Sequence, residues 1–516
     1  MTTDAADADR GGHVERYAQT RPDAIALADE TRALSYREWN DRANRLADAL
    51  ERRGLRAGDR VGVRSRNRIE WFELDAALAK LGALRVAISF RLTPPELRYI
   101  LENSGTRALF FDDPDPAALT PAWEGLPALK LRVPFRGPEF AALIETGNPA
   151  PRARAKATEA IHYTSGTTGR PKGVHRGRAL DPERREALAR LNADLKRSIP
   201  YRSGDRNLLC APLNHAAAPS SALATLARGG TVHVMEKFDA EGALRSIDRH
   251  RISVSFMVPT MLNRIVSLPE STRARYDVSS LRIVTTGASV CPAELKQRVF
   301  DYFGPCLYES YGSTETGVIT ILTPEDHARH AESCGRLLEG VDVRIVDDAG
   351  RLLPRGEVGT IFIKSPATID AYVGAADLGE DMAEDGYFSA GDVGRLDAEG
   401  FLFIVDRKKD MIISGGVNIY PAEIEAALRE HPAILDAAAF GVPNPDFGEE
   451  VRAVCERVPG REVSEAEILA FLRDRLADYK RPRAVSVVDE LPRNAIGKVM
   501  KRDLRAPYWA GTGRAI

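Results

Sequence analysis

Hydrophobic and polar positions in the first 110 residues follow two different periods. Between residues 34 and 54 an apolar residue recurs every three or four positions, Ser35 and Glu38 provide a capping box, and Gly54 ends the pattern, which predicts an amphipathic helix. Further helical patterns cover residues 68–81 and 95–103, and short apolar runs typical of strands cover residues 60–65, 84–89 and 108–111. This βαβα alternation predicts parallel sheets covered by helices.

The same alternation returns between residues 206 and 287, where residues 231–235 and 281–286 are predicted to be buried strands. Two stretches lack such a pattern. The chain before residue 34 is predicted to be disordered, and residues 112–150, rich in Pro, Ala and Leu, are predicted to be an irregular connection.

Beyond residue 340 the pattern changes to short strands separated by Asp, Gly and Pro turns, at residues 341–346, 359–364 and 401–405. This predicts a small antiparallel sheet or barrel. After Asp406 an α/β pattern resumes, with helices at 421–430 and 464–476 and strands at 434–442 and 484–488. We therefore predict an α/β protein with a large N-terminal domain (residues 1–405), made of two parallel-type sheets with helices and a small β-barrel-like subdomain, and a small C-terminal α/β lobe (residues 406–516).

Composition narrows the class of protein without identifying it. The 516 residues carry 44% hydrophobic and 28% charged residues and a net charge of -2, so nothing favours nucleic acid or an anionic membrane as partner. Five scattered cysteines, a polar N-terminus and the lack of a long apolar stretch favour a cytoplasmic protein without a membrane span. We expect either a monomer or a homodimer, without a sequence feature that decides between them. His327, His330 and Cys334 lie close in sequence but lack a fourth ligand, so they are a weak metal signal.

The segment from Tyr163 to Val174, YTSGTTGRPKGV, has the composition of a phosphate-binding loop. Its glycines allow the backbone to approach a polyanion, its hydroxyls donate hydrogen bonds and Lys172 supplies positive charge. It is not a Walker A loop, because it lacks the GKS or GKT ending and the four-residue spacer. The alternative is a glycine-rich surface turn.

Two acidic positions have a possible role beside such a loop. In the segment Tyr311–Glu315, a turn at Gly312 would bring Thr314 and Glu315 to the end of a parallel strand, where a lone carboxylate suits Mg²⁺; the alternative is a helix N-cap. Asp392, in a Gly-Asp turn, could accept hydrogen bonds from the two hydroxyls of a ribose, or it could simply be an Asx-turn residue.

Two further segments, each unremarkable when taken singly, complete a set. The stretch 406–425 combines charged residues with Gly415 and Gly416, and Lys498 follows Gly497 near the C-terminus. Together with the three segments above, in this order and at these separations, they resemble the adenylate-forming enzymes over residues 20–505. That superfamily contains acyl-CoA synthetases, luciferases and the adenylation domains of peptide synthetases, and the chain is most similar to a bacterial acyl-CoA synthetase.

The resemblance implies a two-step reaction. A carboxylate attacks the α-phosphate of ATP to give an acyl-adenylate and pyrophosphate, and a thiol then displaces AMP to form a thioester. It implies ATP and Mg²⁺ for the first step and coenzyme A as co-substrate for the second. The catalytic residues it implies are Lys498, Thr314, Glu315, the Mg²⁺ ligand, and His215. The nucleotide-binding residues it implies are Thr164, Ser165, Gly166, Thr167, Thr168, Lys172, Gly287, Ala288, Ser289, Tyr311, Gly312, Asp392 and Arg407.

The resemblance also implies a hinge at Asp406. Rotation there would withdraw Lys498 after the first step and bring the Gly415–Gly416 turn to line a pantetheine tunnel. Two positions depart from the family pattern: Asn214 replaces an aromatic residue before His215, and Ala390 stands where Thr is common. The charged segment 176–200 has no evident role at this stage.

We expect the substrate to be an apolar, bulky carboxylic acid of the fatty, aryl or polycyclic class, because no Lys or Arg is evident for a second carboxylate and no Asp for an amine. Coenzyme A is favoured as acceptor because no carrier domain follows residue 505. The alternatives are a ligase that loads an acyl carrier protein, a luciferase-like oxygenase, and a nucleotide-binding protein without thioester activity.

Overall fold

The computed structural model describes residues 12–113, 115–152, 160–164, 171–176, 181–289, 291–375, 378, 382, 385–407, 410–414, 417–444, 447–494 and 497–510. The first part of the chain forms, in order, α1 (His13–Thr20), β1 (Ile25–Ala28), β2 (Ala33–Ser35), α2 (Tyr36–Arg52), β3 (Arg60–Arg64), α3 (Ile69–Leu81), β4 (Leu84–Ile88), α4 (Pro94–Ser104), β5 (Ala108–Phe111), α5 (Thr120–Trp123), β6 (Leu131–Pro134), α6 (Pro138–Thr146), β7 (Ala160–Thr164) and β8 (Lys172–His175).

The first sheet is built from six of these strands in the order β6-β5-β3-β4-β7-β8. All neighbours are parallel except β8, which returns antiparallel to β7. Helices α2 and α3 pack on one face of this sheet, in a core that also contains side chains of the second sheet. Helix α3 is buried along nearly its whole length because it lies between the two sheets.

The second part of the chain forms α7 (Pro182–Ser198), β9 (Arg206–Leu209), α8 (Ala217–Leu226), β10 (Thr231–Val234), α9 (Ala240–His250), β11 (Val254–Phe256), α10 (Pro259–Val266), α11 (Glu270–Arg273), β12 (Ile283–Thr286), α12 (Ala293–Phe303), β13 (Leu307–Ser313), β14 (Gly317–Leu322), α13 (Pro324–His330) and β15 (Arg336–Leu337). These strands join β1 and β2 in a nine-stranded sheet of order β15-β14-β13-β12-β11-β9-β10-β1-β2. Its centre is parallel, so the carboxyl ends of β11, β12 and β13 lie side by side at one edge.

A four-stranded antiparallel sheet follows, with β16 (Asp342–Val346), β17 (Gly359–Lys364), β18 (Asp392–Leu396) and β19 (Leu402–Arg407) in sequential order. The last part of the chain forms β20 (Ile412–Ser414), β21 (Val417–Ile419), α14 (Pro421–Arg429), β22 (Ile434–Asn444), β23 (Gly448–Arg457), α15 (Glu465–Phe471), β24 (Ala484–Val488) and α16 (Lys501–Trp509). The long β22–β23 hairpin, with β24 parallel to β23, packs against α14 and α15 in a core of its own.

The mixed α/β fold predicted from periodicity is confirmed, and local signals at several helix ends are confirmed with it. At the start of α2 the Glu38 amide donates to Ser35 Oγ at 3.2 Å, and the Ser35 amide donates to Glu38 Oε2 at 2.8 Å. The predicted helix 464–476 is α-helical only from Glu465 to Phe471 and continues as a tighter 3-10 turn over Leu472–Asp474.

Two predictions about irregular segments are wrong. Residues 112–150 contain α5, the parallel edge strand β6 and helix α6, and the chain before residue 34 contains α1 and β1. Four-residue elements give too short a pattern for periodicity to detect, and β1 is a strand because it pairs with β10, some 200 residues away.

Within the charged segment 176–200, the described residues from 181 onward form helix α7 and its cap. Asp181 caps α7, whose amide at Arg184 donates to Asp181 Oδ1 at 2.8 Å. The Arg184 guanidinium donates to the Pro366 carbonyl at 3.1 Å, and Leu191 is only 3% exposed. The helix therefore packs on the nine-stranded sheet with one apolar stripe, and its Arg184 side chain holds the 366–370 segment. In the described part of the chain no helix is both long and apolar enough to cross a membrane.

Candidate active site

Strands β7 and β8 form a hairpin, and the segment that joins them is the predicted phosphate loop. Thr164 pairs with Lys172 across the hairpin, so the two residues stand at the two ends of the loop that joins the strands. Thr164 Oγ1 donates to Glu315 Oε1 at 3.1 Å, and the Lys172 ammonium lies 4.6 Å from the centroid of the Tyr372 ring. The structure thus brings the predicted site residue Glu315 to the hairpin that carries Thr164 and Lys172, although Glu315 lies 151 positions beyond Thr164. The predicted residues Ser165, Gly166, Thr167 and Thr168 lie outside the described residues.

The turn that carries Thr314 and Glu315 differs from the prediction. Strand β13 continues through Gly312 to Ser313, and β14 returns antiparallel, so the turn lies at residues 314–316 and neither a helix nor an N-cap follows. Gly312 is needed because a Cβ there would lie 2.0 Å from the Gly317 carbonyl oxygen. Ser313 Oγ accepts from the Glu315 amide at 3.2 Å and the Thr316 amide at 3.1 Å, which fixes the turn.

This turn fixes the Glu315 carboxylate next to the phosphate-loop hairpin. Glu315 is 9% exposed, and Arg176 Nη2, from the end of β8, donates to the Thr314 carbonyl at 2.8 Å. The Thr164 hydroxyl and the Glu315 carboxylate present adjacent oxygen atoms, the kind of ligand that Mg²⁺ takes in proteins. The residues present therefore fit a magnesium ion at this position.

A second carboxylate lies close to the same turn. Asp392, the first residue of β18, is 6% exposed and accepts a hydrogen bond from the Tyr311 hydroxyl at 2.7 Å. Asp392 pairs with Arg407 across the β18–β19 ladder, and the structure describes only the backbone of Arg407. The predicted ribose residues are therefore neighbours, joined to the Glu315 turn through Tyr311.

The end of strand β12 carries the predicted residues Gly287, Ala288 and Ser289. A Cβ at Gly287 would lie 2.6 Å from the Ser310 carbonyl oxygen, so only glycine allows β12 and β13 to approach this closely. Ala288 adopts a φ of 67°, in the left-handed region that non-glycine residues rarely enter. A strained backbone of this kind concentrates at functional sites, which supports the assignment of this strand end to the site.

Two neutral histidines, His162 on β7 and His215, lie near each other at the phosphate-loop hairpin. Burial lowers the pKa of His215 to about 4, and burial together with the nearby Arg85 and Arg176 guanidinium groups lowers the pKa of His162 to about 3. The main chain of Asn214 hydrogen-bonds to the His162 ring, so the two histidines belong to one cluster. Among the described residues neither His162 Nδ1 nor His215 Nε2 has a hydrogen-bond partner.

Sequence reasoning missed His162. It lies on β7 between Ile161 and Tyr163, which pack into the apolar core on one face of the sheet. Strand alternation therefore puts His162 on the same face as Thr164, and this signal was available from the sequence. The cationic Arg85 beside it forms an ion pair with Asp75 and lies 4.3 Å from the Trp71 ring.

The loop with Lys498 lies against the N-terminal part of the chain. Within the loop the Lys498 amide donates to Asn494 Oδ1 at 3.0 Å, and Gly497 has a φ of +80° that glycine adopts readily. Thr260 Oγ1 donates to the Gly497 carbonyl at 3.3 Å. Thr260 follows β11, and β11 is the neighbour of β12, so the Lys498 loop lies at the edge where β12 and β13 end.

Asp406 lies at the end of the four-stranded sheet. Its carboxylate is 7% exposed and accepts from the Ala422 amide at 3.0 Å, in the first turn of α14. Asp406 therefore joins β19 directly to the C-terminal part of the chain. Its role as a hinge stays a prediction, as does the domain boundary drawn there, and Gly415 and Gly416 lie outside the described residues.

The weak metal signal at residues 327–334 corresponds to packing. His327 stacks on Phe300 with ring centroids 4.2 Å apart, and His330 stacks on Phe401 at 3.6 Å. Cys334 Sγ donates to the Leu402 carbonyl at 3.2 Å. Within the described ranges no group of three His, Cys, Asp or Glu residues could hold a metal ion.

The chain resembles known enzymes over nearly its whole length. The AMP-binding enzyme family matches residues 14–373, and the AMP-binding enzyme C-terminal domain matches residues 423–498. The feruloyl-CoA synthase of an Amycolatopsis species is 36% identical over 504 residues, which cover 96% of this chain and 98% of that protein.

Two other comparisons extend this result. A CoA ligase of Mycobacterium tuberculosis is 37% identical over 513 residues, which cover 95% of this chain and 97% of that protein. Its name specifies a propanoyl group that carries a methyl-dioxo-octahydro-indenyl ring system. The structure of an anthranilate CoA ligase in complex with anthranoyl-AMP has a TM-score of 0.87 at 26% identity, with 97% of each chain covered.

Proposed function

The chain belongs to the AMP-binding enzyme family and is an acid–thiol ligase, and on that premise we propose that it converts an apolar, bulky carboxylic acid of the fatty, aryl or polycyclic class to its coenzyme A thioester. The observation that carries this proposal is the hydrogen bond between Thr164 and Glu315. It joins the phosphate-loop hairpin to the turn after β13, and so makes one site of segments 151 residues apart.

In the first step a carboxylate oxygen of the acid attacks the α-phosphorus of ATP. The new oxygen–phosphorus bond forms as the bond from the α-phosphorus to the α–β bridging oxygen breaks, and pyrophosphate leaves. Two anions must meet, so the site has to supply positive charge and hydrogen-bond donors. We assign the β- and γ-phosphates to the phosphate loop and Lys172, the α-phosphate to Thr314, and the ribose to Asp392 and Arg407. Lys498 would bridge the substrate carboxylate and the α-phosphate.

Magnesium is part of this proposal. Glu315 would hold the ion, with the Thr164 hydroxyl next to the carboxylate, and the ion would neutralise charge on the phosphates. The Thr164 donor and the Ser313 turn keep the Glu315 carboxylate in one orientation, which a metal site with few protein ligands requires.

In the second step the coenzyme A thiol attacks the acyl carbon and AMP leaves. We propose that rotation at Asp406 withdraws Lys498 and brings the Gly415–Gly416 turn to the site, where it lines the path of the pantetheine arm. The Asp406–Ala422 hydrogen bond supports this, because it fixes the hinge residue to the part of the chain that would move.

The charges beside His215, a residue that the resemblance places in the active site, favour an acid without a second charge. His162 and His215 are neutral at pH 7, because burial lowers both pKa values far below it. The buried Arg85 is paired with Asp75. Arg176, the other cation near His162, donates to the Thr314 carbonyl. Neither cation is therefore assigned to a second carboxylate of the substrate, and the segment Met257–Val258–Pro259 is apolar and buried.

The second candidate function is loading of an acyl carrier protein with the same acyl group. It shares the first step and differs only in the thiol, so the assay must separate the thiols. A nucleotide-binding protein without thioester activity would release no AMP, although it could bind ATP.

A panel of acids tests these functions. Ferulate, indole-3-acetate, decanoate, palmitate and a bicyclic propanoate are supplied with ATP and Mg²⁺, and AMP release is measured with and without coenzyme A. We expect AMP release that requires coenzyme A and is greatest for one of the ring-containing acids, with malonate as the dicarboxylate control. AMP release independent of coenzyme A would support carrier loading, and failure of every acid would refute the proposed substrate class.

A further inference from the structure

Helix α10 presents a row of polar side chains to the C-terminal part of the chain. Thr260, Asn263 and Arg264 have the i, i+3, i+4 spacing that puts three residues on one helix face. Thr260 Oγ1 donates to the Gly497 carbonyl at 3.3 Å, and Asn263 Nδ2 donates to the Leu435 carbonyl at 2.8 Å. Arg264 Nη2 lies 3.4 Å from the Glu490 carboxylate.

Arg91 approaches the Lys498 loop from another element. It lies in the turn between β4 and α4, and its Nη1 donates to the Asn494 carbonyl at 2.9 Å and lies 3.5 Å from the Arg493 carbonyl. Arg91 and Thr260 thus bind main-chain carbonyls on the two sides of the loop. Because both side chains contact main-chain atoms, these contacts depend on the position of the loop backbone and not on the loop's side chains.

The loop itself is fixed to the C-terminal part of the chain. Arg493 Nη2 lies 2.8 Å from Asp436 and 2.6 Å from Glu456, and its Nη1 donates to the Gly497 carbonyl at 3.0 Å. Arg493 is largely buried, with 7% of its side chain exposed. The loop therefore moves with the β22–β23 hairpin as one unit, and the contacts from Arg91 and α10 must break when that unit moves away.

We propose that Arg91 and the polar face of α10 form a latch that holds the C-terminal lobe in the orientation used for adenylation, with Arg91 as a positioning residue for Lys498. This rests on the proposed function, in which Lys498 acts in the first step alone. A contact made in one of two conformations shifts their equilibrium by its own free energy, and a single hydrogen bond of this kind shifts it about two- to tenfold. The latch is therefore strong enough to favour the adenylation state and weak enough to release it.

The test compares Arg91→Ala with Arg98→Ala. Arg98 is a matched control, because it too donates to main-chain carbonyls, of Pro121 at 3.3 Å and Glu124 at 2.8 Å, but wholly within the N-terminal part of the chain. With the best acid of the panel we expect Arg91→Ala to lower pyrophosphate exchange into ATP about two- to tenfold. Thioester formation from supplied acyl-adenylate should stay at or above the wild-type rate, and Arg91→Lys should be intermediate.

A second measurement needs no acid. Hydrogen exchange of the ligand-free protein, followed by mass spectrometry of the peptide that contains residues 491–500, should be faster in Arg91→Ala and unchanged in Arg98→Ala. Equal rates of hydrogen exchange for this peptide in Arg91→Ala and wild type would overturn the latch. If both half-reactions fell equally in Arg91→Ala, the assignment to the adenylation state would be overturned. If wild-type protein released no AMP with any acid of the panel, the proposed function would be contradicted. The hydrogen-exchange measurement on the ligand-free protein would still test the latch.

Discussion

The hydrogen bond from the Tyr311 hydroxyl to Asp392 offers a direct test of the nucleotide site. Tyr311→Phe removes the hydroxyl and keeps the ring, which packs beside the core between β14 and the four-stranded sheet. Asp392 then loses a donor at 2.7 Å but keeps its place as the first residue of β18. We expect the carboxylate to be less well oriented for the ribose hydroxyls and ATP to bind more weakly.

The magnitude follows from the type of bond. A hydrogen bond to a charged group contributes about 1.5–3 kcal/mol. The site must admit a nucleotide, so water can replace the phenol in the variant, and the lower figure applies. A loss of about 1.5 kcal/mol corresponds to about a tenfold rise in the KM for ATP. The kcat should change less than about threefold, because Tyr311 does not touch the reacting atoms in the proposed mechanism.

The assay is the initial rate of AMP release at a saturating concentration of the best acid, with ATP varied. Tyr308→Phe is the matched control, because Tyr308 lies on the same strand three residues earlier and packs into a different core, beside α7. An unchanged KM for ATP in Tyr311→Phe would refute the reasoning, as would an equal rise in Tyr308→Phe.

Three further outcomes are expected. Lys498→Ala should abolish acyl-adenylate formation and preserve thioester formation from supplied acyl-adenylate; pyrophosphate exchange at the wild-type rate would contradict its assigned role. Burial lowers the pKa of His215 to about 4 in the folded protein. Between about pH 6.5 and pH 4 the His215 imidazole is therefore protonated in the unfolded chain and not in the folded one. The free energy of unfolding consequently decreases as the pH falls through that range. In urea titrations at pH 6 and pH 5, His215→Gln should lose up to about 1.4 kcal/mol less per pH unit than wild type, and equal slopes would exclude this effect. Lys296→Met leaves the buried Glu309 carboxylate without its ammonium partner and should lower the free energy of unfolding by about 3–5 kcal/mol, with recovery in the double variant with Glu309→Gln; an unchanged urea midpoint would show that the pair is not stabilising.

The predictions that held were those that depend on short stretches of sequence. The capping box at Ser35 and the glycine after α2, Gly54, mark helix ends by signals within a few residues: the box is present, and α2 ends at Arg52, two residues before Gly54. The order and spacing of the motifs indicate the family without reference to the fold. The prediction that residues 112–150 form an irregular connection was wrong. It missed α5 and β6 because each is only four residues long, and a strand as short as β6 forms through its pairing with a neighbour, here β5.

The candidate site divides in the same way. Residue type and spacing pointed to Thr164 and Lys172 as phosphate-loop residues and left alternatives open for Glu315 and Asp392. Lys498 was predicted only through the resemblance to the adenylate-forming enzymes. Strand alternation could have put His162 on the same face as Thr164, but its neutral state depends on burial, and it contacts the Asn214 main chain from 52 positions further along the chain.

The sequence by itself determined the local elements and the kind of chemistry, because helix and strand periods, caps and specialised side chains act over a few residues. Only the tertiary structure decided which of these meet: Thr164 with Glu315, Tyr311 with Asp392, and Arg91 with the Lys498 loop. Each of these contacts joins residues at least 80 positions apart. Such pairs are set by strand order and by the packing of one sheet edge against a second domain, and no local period encodes either.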